Sequence, residues 1–173
     1  MADEHDLAWR VSRLEVVEAV RSTFHEYTHY LDGGFVDDLL GVFTPDAEMT
    51  AANYPPGSGE DVVLRGRDEI RSIYAPLSYG SFRHHATNAT VAVADDLGRA
   101  ELSSYFVTGS PYGLGGGLYQ GTFVPLDGIW RIRTWRVAST WGWRIAGQEA
   151  PEYLREVLGA HALRDGKPVV FRP

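Results

Sequence analysis

The sequence contains no cysteine among its 173 residues, which excludes disulfides, thiolate metal sites and a cysteine nucleophile. Basic residues are outnumbered: 16 Lys and Arg stand against 23 Asp and Glu, for a formal net charge of −7. No basic cluster is long enough to follow a phosphate backbone, so we expect no nucleic-acid partner. No apolar run approaches a membrane span, and residues 1–10 lack the apolar core of a signal peptide. We therefore expect no membrane partner and a cytoplasmic protein.

What is present is the composition of a globular domain. Hydrophobic residues make up 44% of the chain and charged residues 23%, values that argue against disorder and against a coiled coil. The length suits one hydrophobic core. We predict a single domain over 1–173, with its core at about 12–147 and a C-terminal helix and tail at 149–173.

The first half of the chain predicts helices. Ser12–Glu15 fits the capping-box pattern, so we expect the first helix to begin at Ser12. Apolar residues then recur every three or four positions until Gly33–Gly34, where glycine can end the helix in a left-handed conformation. Shorter helices are predicted over 35–43 and 66–74, with a loop over 53–66 between them.

The second half is rich in Thr, Val, Tyr, Trp and Phe, which favour strands. We predict strands over 48–52, 81–94, 99–108, 118–124 and 129–146. The glycine-rich stretch 113–117 is interpreted as a flexible connection, and Asp127–Gly128 as a hairpin turn because both residues tolerate positive φ. Helices followed by a strand meander predict an α+β fold, with helices on one face of a curved antiparallel sheet.

Alternation along the strand that contains the adjacent histidines sorts its side chains between two faces. His85 shares the parity of the apolar residues Ala89 and Val91, whereas His84 belongs to the polar set. We therefore predict that His85 faces inward and His84 outward. Because neighbouring strand residues point to opposite faces, the pair does not predict a metal site.

Asp32 follows the apolar face of the first helix, and that helix should cover the sheet face carrying His85. A carboxylate and an imidazole in an apolar cup can tune each other and move a proton. Tyr27 would add a phenol to the same cavity, with Tyr30 at its rim. Structural alternatives stay open: a core histidine bonded to backbone, an aspartate that caps the next helix, and a core tyrosine.

Parity also predicts contacts for a ligand. Ser104 and Phe106 should face inward on one strand, and Trp130 should add an aromatic lining or a core and subunit contact on the last strand. Large groups on both faces of that last strand indicate an oligomer contact on the outer sheet face.

Four segments, in order, resemble the SnoaL-like branch of the nuclear transport factor 2-like superfamily. They are the opening segment 12–47, with Leu-Asp-Gly at 31–33; Gly-Arg-Asp-Glu-Ile-Arg at 66–71; Arg-His-His-Ala-Thr-Asn at 83–88; and Asp-Gly-Ile-Trp-Arg-Ile at 127–132. Together they span roughly residues 12–137.

The resemblance implies an α+β cone, with helices packed in the mouth of a strongly bent antiparallel sheet. Scytalone dehydratase, SnoaL-type polyketide cyclases and ketosteroid isomerase share this shape. In the dehydratases an Asp at the end of the first helix orients a sheet His that acts as base and acid, and Asp32 and His85 resemble that pair. Tyr27 is similar in placement to the isomerase's phenol donor, and Tyr54 to a substrate-contacting tyrosine. The dehydratase's second His is replaced by serine, and Tyr119 is the nearest match to its pocket amide.

These observations predict an enzyme that needs neither a cofactor nor a metal. It would act by dehydration, isomerisation or cyclisation on a small cyclic, largely apolar metabolite. The alternative is a non-catalytic ligand-binding or small-subunit assembly module of the same fold. The resemblance also implies a homodimer or homotrimer formed through the outer sheet face.

Overall fold

The structure, a computed structural model, describes residues 6–54, 58–77, 82–144 and 169–170. Its helices are α1 (Leu7–Gly33), α2 (Val36–Gly41) and α3 (Gly66–Leu77). Its strands are β1 (Phe43–Ala52), β2 (Val62–Arg65), β3 (Arg83–Val93), β4 (Ala100–Ser110), β5 (Gly113–Leu126), β6 (Ile129–Arg144) and β7 (Val169–Val170). The predicted closing helix at 149–163 lies outside the described residues.

The strands form one sheet in the order β2-β1-β6-β5-β4-β3, and β7 pairs with β6. All neighbours are antiparallel except β1 and β6, which run parallel. Helix α1 packs against β3, β4 and β6 on the inner face of the sheet. The predicted α+β fold, with helices on one face of a curved sheet, is confirmed.

Helix α1 begins at Leu7, so the predicted start at Ser12 is wrong. The side chain of Asp6 caps the helix by accepting a hydrogen bond of 2.8 Å from the backbone N–H of Trp9. A carboxylate cap satisfies the free donors of a helix start as well as a hydroxyl does, and no residue between the two positions breaks a helix. The predicted end is confirmed, since Gly34 adopts a left-handed φ of 73°.

The predicted turn between the last two long strands is confirmed, with φ of 52° at Asp127 and 77° at Gly128. The flexible connection predicted over 113–117 is wrong, because these glycines belong to β5. A Cβ placed on Gly117 would lie 1.9 Å from the carbonyl oxygen of Ala138. Glycine is needed there because the two backbones approach closely, which is one of its roles inside strands.

Aromatic side chains fill the space between α1 and the sheet. Six of the largest fully buried residues are aromatic: Phe24, Tyr27, Phe43, Tyr119, Phe123 and Trp135. The Tyr27 ring lies across the Trp135 ring with centroids 5.0 Å apart, and Tyr119 stacks on Trp135 at 5.3 Å. Each buried aromatic ring removes a large apolar area from water. Two members of this cluster, Tyr27 and Tyr119, also line the cavity described below.

Candidate functional site

Strand β3 contains a β-bulge. Its register with β4 moves from Thr87 opposite Tyr105 to Thr90 opposite Ser103, so β3 carries one extra residue. Asn88, inside this interval, has a φ of 56°, which asparagine tolerates better than most residues. The hydroxyl of Ser104 donates to the Thr87 carbonyl at 2.9 Å and so secures the bulge from the inner face.

The bulge reverses the predicted orientation of the two histidines. His84 faces inward with its side chain 11% exposed, whereas His85 is exposed. The prediction that His85 faces inward and pairs with Asp32 is therefore wrong. The prediction failed because the alternation that places Ala89 and Val91 on the inner face does not continue through the bulge: one extra residue exchanges the two faces of the strand.

Asp32 at the end of α1 holds His84 through two contacts. Its Oδ1 lies 2.5 Å from His84 Nδ1, and its Oδ2 accepts a hydrogen bond of 2.8 Å from the His84 backbone N–H. A carboxylate that accepts from Nδ1 selects the tautomer with its proton on that nitrogen, which leaves Nε2 free to accept a proton. Asp32 does not cap α2, whose N-cap Phe35 makes no side-chain cap bond.

A cavity of about 150 Å³ lies between α1, α3 and the inner face of the sheet, and His84 forms part of its wall. Four residues predicted from the sequence also line it: Tyr27, Tyr54, Phe106 and Tyr119. Most of the remaining wall is apolar. An imidazole held by a carboxylate therefore lies beside a space large enough for a small ligand.

The structure does not bring the other predicted residues to this wall. Tyr30, on α1, packs against Phe35, which precedes α2. The main chain of Trp130 accepts a hydrogen bond of 2.7 Å from the Thr23 hydroxyl. The hydroxyl of Ser104 donates to the Thr87 carbonyl at the bulge, and Ser104 is not among the residues that line the cavity. His85 lies on the opposite face of β3.

Three phenols meet at the floor of the cavity. The hydroxyls of Tyr27 and Tyr74 lie 2.8 Å apart and share a hydrogen bond. Burial raises the pKa of Tyr27 to about 12, partly offset by hydrogen bonding from Tyr74 and Trp135. Burial also raises the pKa of Tyr74 and Tyr119 well above the ordinary value for a phenol. All three therefore remain neutral hydrogen-bond donors at physiological pH.

A family model described as the SnoaL-like domain matches residues 12–136. The chain belongs to the SnoaL-like family. The resemblance inferred from the four sequence segments is thereby confirmed. No curated protein matches this SnoaL-like sequence.

Solved structures share the fold of this SnoaL-like chain. A candidate scytalone dehydratase from Novosphingobium aromaticivorans DSM 12444 is 19% identical, with a TM-score of 0.66 over 82% of this chain and 93% of that one. An NTF2-like protein with a cystatin-like fold from Novosphingobium aromaticivorans is 22% identical, with a TM-score of 0.62 over 80% and 91%. The hexachlorocyclohexane dehydrochlorinase LinA-type3 from Novosphingobium barchaimii LL02 is 15% identical, with a TM-score of 0.64 over 82% and 98%. At these identities the likeness establishes the fold alone.

A second and larger depression of about 550 Å³ lies on the outer face of the SnoaL-like sheet. Its wall includes the exposed polar residues Glu101, Gln120 and Thr134. It contains no histidine, and its acidic residues, Glu48 and Glu101, are exposed. The inner cavity is the stronger candidate because it alone of the two combines apolar walls with a histidine held by a carboxylate.

Besides His84, sequence reasoning missed three polar residues of the inner cavity: Tyr74, Thr108 and Ser139. For two of these three, the sequence pattern could have predicted an inward side chain. Tyr74 lies four residues after Ile70 on the buried side of α3, and Thr108 has the inward parity of Phe106. Ser139 follows the irregular part of β6, where the register with β5 shifts, so parity could not have assigned it.

Two further findings concern the described part of the chain. None of its helices combines the length and apolar character that a membrane crossing requires. Within those same residues, no group of three or more His, Asp or Glu side chains is arranged to bind a metal ion.

Proposed function

We propose that this SnoaL-like protein is a cofactor-independent acid–base enzyme in which His84 transfers a proton on a small cyclic, largely apolar molecule. One observation carries the proposal: the 2.5 Å contact between His84 Nδ1 and Asp32 Oδ1, beside a cavity of about 150 Å³. A histidine with one ring nitrogen held by a carboxylate is preorganised to accept a proton at the other. Asp32 acts as the positioning residue.

Elimination is the reaction that this arrangement supports best. His84 Nε2 takes a proton from carbon, the C–H electron pair becomes a C=C bond, and the bond from the adjacent carbon to its leaving group breaks. When hydroxide leaves, the imidazolium returns the proton to it, so water forms and His84 is neutral again. Tyr27 or Tyr74 can donate a hydrogen bond to an oxygen that gains negative charge during the reaction.

The names of two structural neighbours support elimination over isomerisation or cyclisation. A dehydratase removes water and a dehydrochlorinase removes hydrogen chloride, and both names belong to proteins with this fold. The two reactions share the step proposed for His84, which is removal of a proton from carbon. The leaving group is what differs between them.

Proton abstraction can be tested with a probe that needs only a base, 1,2-benzisoxazole. Removal of its ring C–H proton breaks the N–O bond and gives 2-hydroxybenzonitrile as the phenolate, which is followed by absorbance. We expect the wild-type protein to accelerate this reaction, and His84→Ala to lower the rate by about 10²–10⁴-fold, the usual contribution of a general base. Asp32→Asn should lower it less, because the imidazole keeps its place but loses its anionic partner.

His85→Ala is the matched control, because its side chain is adjacent in sequence and exposed on the other face of β3. It should keep the wild-type rate. His84→Gln provides a second variant that can still bond to Asp32 but cannot act as a base, so a loss of activity there is not a loss of folding. A wild-type rate no higher than that of His84→Gln would contradict the proposal and favour the non-catalytic ligand-binding module.

A further inference from the structure

Thr108 lies directly across the β3–β4 pair from His84. Both side chains face inward and line the cavity. Residues directly opposite each other on neighbouring strands have Cβ atoms about 4.5–5.5 Å apart. Any group of a ligand that approaches His84 therefore also lies within reach of the Thr108 side chain.

The hydroxyl of Thr108 is buried and has no hydrogen-bond partner among the described residues. Among the other buried hydroxyls, that of Thr44 also lacks a partner among the described residues, but Thr44 does not line the cavity. Ser104 donates to Thr87, and Thr23 donates to the main chain of Trp130. Buried polar groups are nearly always paired in folded proteins, because an unpaired one destabilises the fold. The Thr108 hydroxyl lies on the cavity wall without a protein partner among the described residues, so it is available to bond to a ligand there.

The remaining wall limits the chemistry of that ligand. The described lining residues include no Lys, Arg, Asp or Glu, and the imidazole of His84 already pairs with Asp32. A charged ligand would lose its hydration without gaining an opposite charge, which is unfavourable. A cavity of about 150 Å³ has the size that holds benzene in other proteins.

We propose that Thr108 determines specificity in this cavity by hydrogen bonding to a hydroxyl or carbonyl oxygen of an uncharged ligand about the size of one ring. The role of the ligand as a substrate rests on the proposed function, whereas the hydrogen bond itself does not. The Thr108 contact places the oxygen-bearing part of the ligand next to His84. The apolar walls then hold the rest of the ring.

The test uses 4-fluorophenol and 4-fluorotoluene, which have similar shapes and differ by a hydroxyl in place of a methyl group. Dissociation constants are measured by fluorine NMR for the wild type, Thr108→Val and Thr108→Ser. We expect the wild type to bind the phenol more tightly relative to the toluene than Thr108→Val does, by about two- to tenfold, the range of one hydrogen bond. Thr108→Ser should keep the wild-type ratio.

Thr23→Val is the matched control, since it makes the same exchange at a hydroxyl that already has protein partners. Its melting temperature should fall while its binding ratio stays that of the wild type. Thr108→Val should lose less stability than Thr23→Val, because the Thr108 hydroxyl has no partner among the described residues. An unchanged binding ratio in Thr108→Val, or failure of the wild type to bind either probe, would overturn the inference.

The proposed ligand contact of Thr108 and the proposed proton transfer by His84 can be refuted separately. If Thr108→Val loses the preference for the phenol while His84→Gln keeps the wild-type rate with benzisoxazole, Thr108 recognises a ligand and the proposed chemistry is wrong. If the benzisoxazole rate depends on His84 while the preference is unaffected by Thr108→Val, the enzyme proposal stands and the specificity inference falls.

Discussion

The bulge in β3 orients His84, and Ser104→Ala should weaken it. Ser104 is buried, and its hydroxyl lies 2.9 Å from the Thr87 carbonyl and 3.1 Å from the Tyr105 carbonyl. A typical hydrogen bond contributes about 1 kcal/mol net, and the partly buried carbonyl that loses its donor adds a part of the roughly 1–3 kcal/mol that a fully buried unsatisfied acceptor costs. The free energy of unfolding should therefore fall by roughly 1–2 kcal/mol in all.

Ser103→Ala is the matched control because Ser103 is the adjacent residue on β4 and lies at the outer depression. This substitution should change the free energy of unfolding by no more than about 0.5 kcal/mol, as is usual for surface sites. Urea unfolding followed by circular dichroism measures both variants, with unchanged slopes indicating that only stability has changed. Equal effects of the two substitutions would refute the assignment of Ser104 to the bulge.

Substitutions at Asn88 test the same bulge independently. At its φ of 56°, Asn88→Val places a β-branched residue in the left-handed region, which costs about 1–2 kcal/mol. Asn88→Gly relieves this conformational strain and should be far better tolerated than the valine. A valine variant as stable as the glycine variant would show that residue 88 does not need a positive φ, which would contradict the bulge as the cause of the histidine orientation.

Two other predictions concern the core and the sheet. The free energy of unfolding should decline as pH rises from about 10 to about 12, because the unfolded chain then releases a phenolic proton that folded Tyr27, with its pKa of about 12, retains. At 1.36 kcal/mol per pKa unit the loss reaches about 2–3 kcal/mol. Tyr27→Phe should remove that part of the pH dependence, as measured by urea titrations at each pH. An equally steep decline in Tyr27→Phe would contradict this. Gly117→Ala should lower the free energy of unfolding by about 1–3 kcal/mol or more, because its new methyl group meets the Ala138 carbonyl, whereas Gly41→Ala, which meets no atom within 4 Å, should be neutral or stabilising. Similar melting temperatures for the two variants would show that β5 and β6 can separate at no cost.

Most of the fold could be predicted because local signals agree with one another along the chain. The apolar repeat of α1, the glycines that end it and the Asp127–Gly128 turn each specify one backbone conformation. Predictions failed where two signals of equal strength competed. Asp6 and Ser12 both suit a helix start, and the glycines at 113–117 suit either a loop or a strand approached closely by its neighbour.

The candidate site could be predicted only to the level of its chemistry. Asp32 and an imidazole from the neighbouring strand do meet at an apolar cavity, as the helix end and the strand composition indicate. Which histidine meets Asp32 depends on a single extra residue, because the face of a strand changes with every position. No average over a whole strand can detect such a change.

The sequence nevertheless contains the signal that resolves the choice. Asn88 interrupts a segment rich in β-branched and small residues, and asparagine accepts the positive φ that many bulges require better than its neighbours do. Inward apolar residues lie on both sides of it, but at opposite parity: Ala86 before, Ala89 and Val91 after. A regular strand could bury only one of these two sets. Burying both requires an inserted residue between them, and that insertion places His84 on the inner face with Ala86.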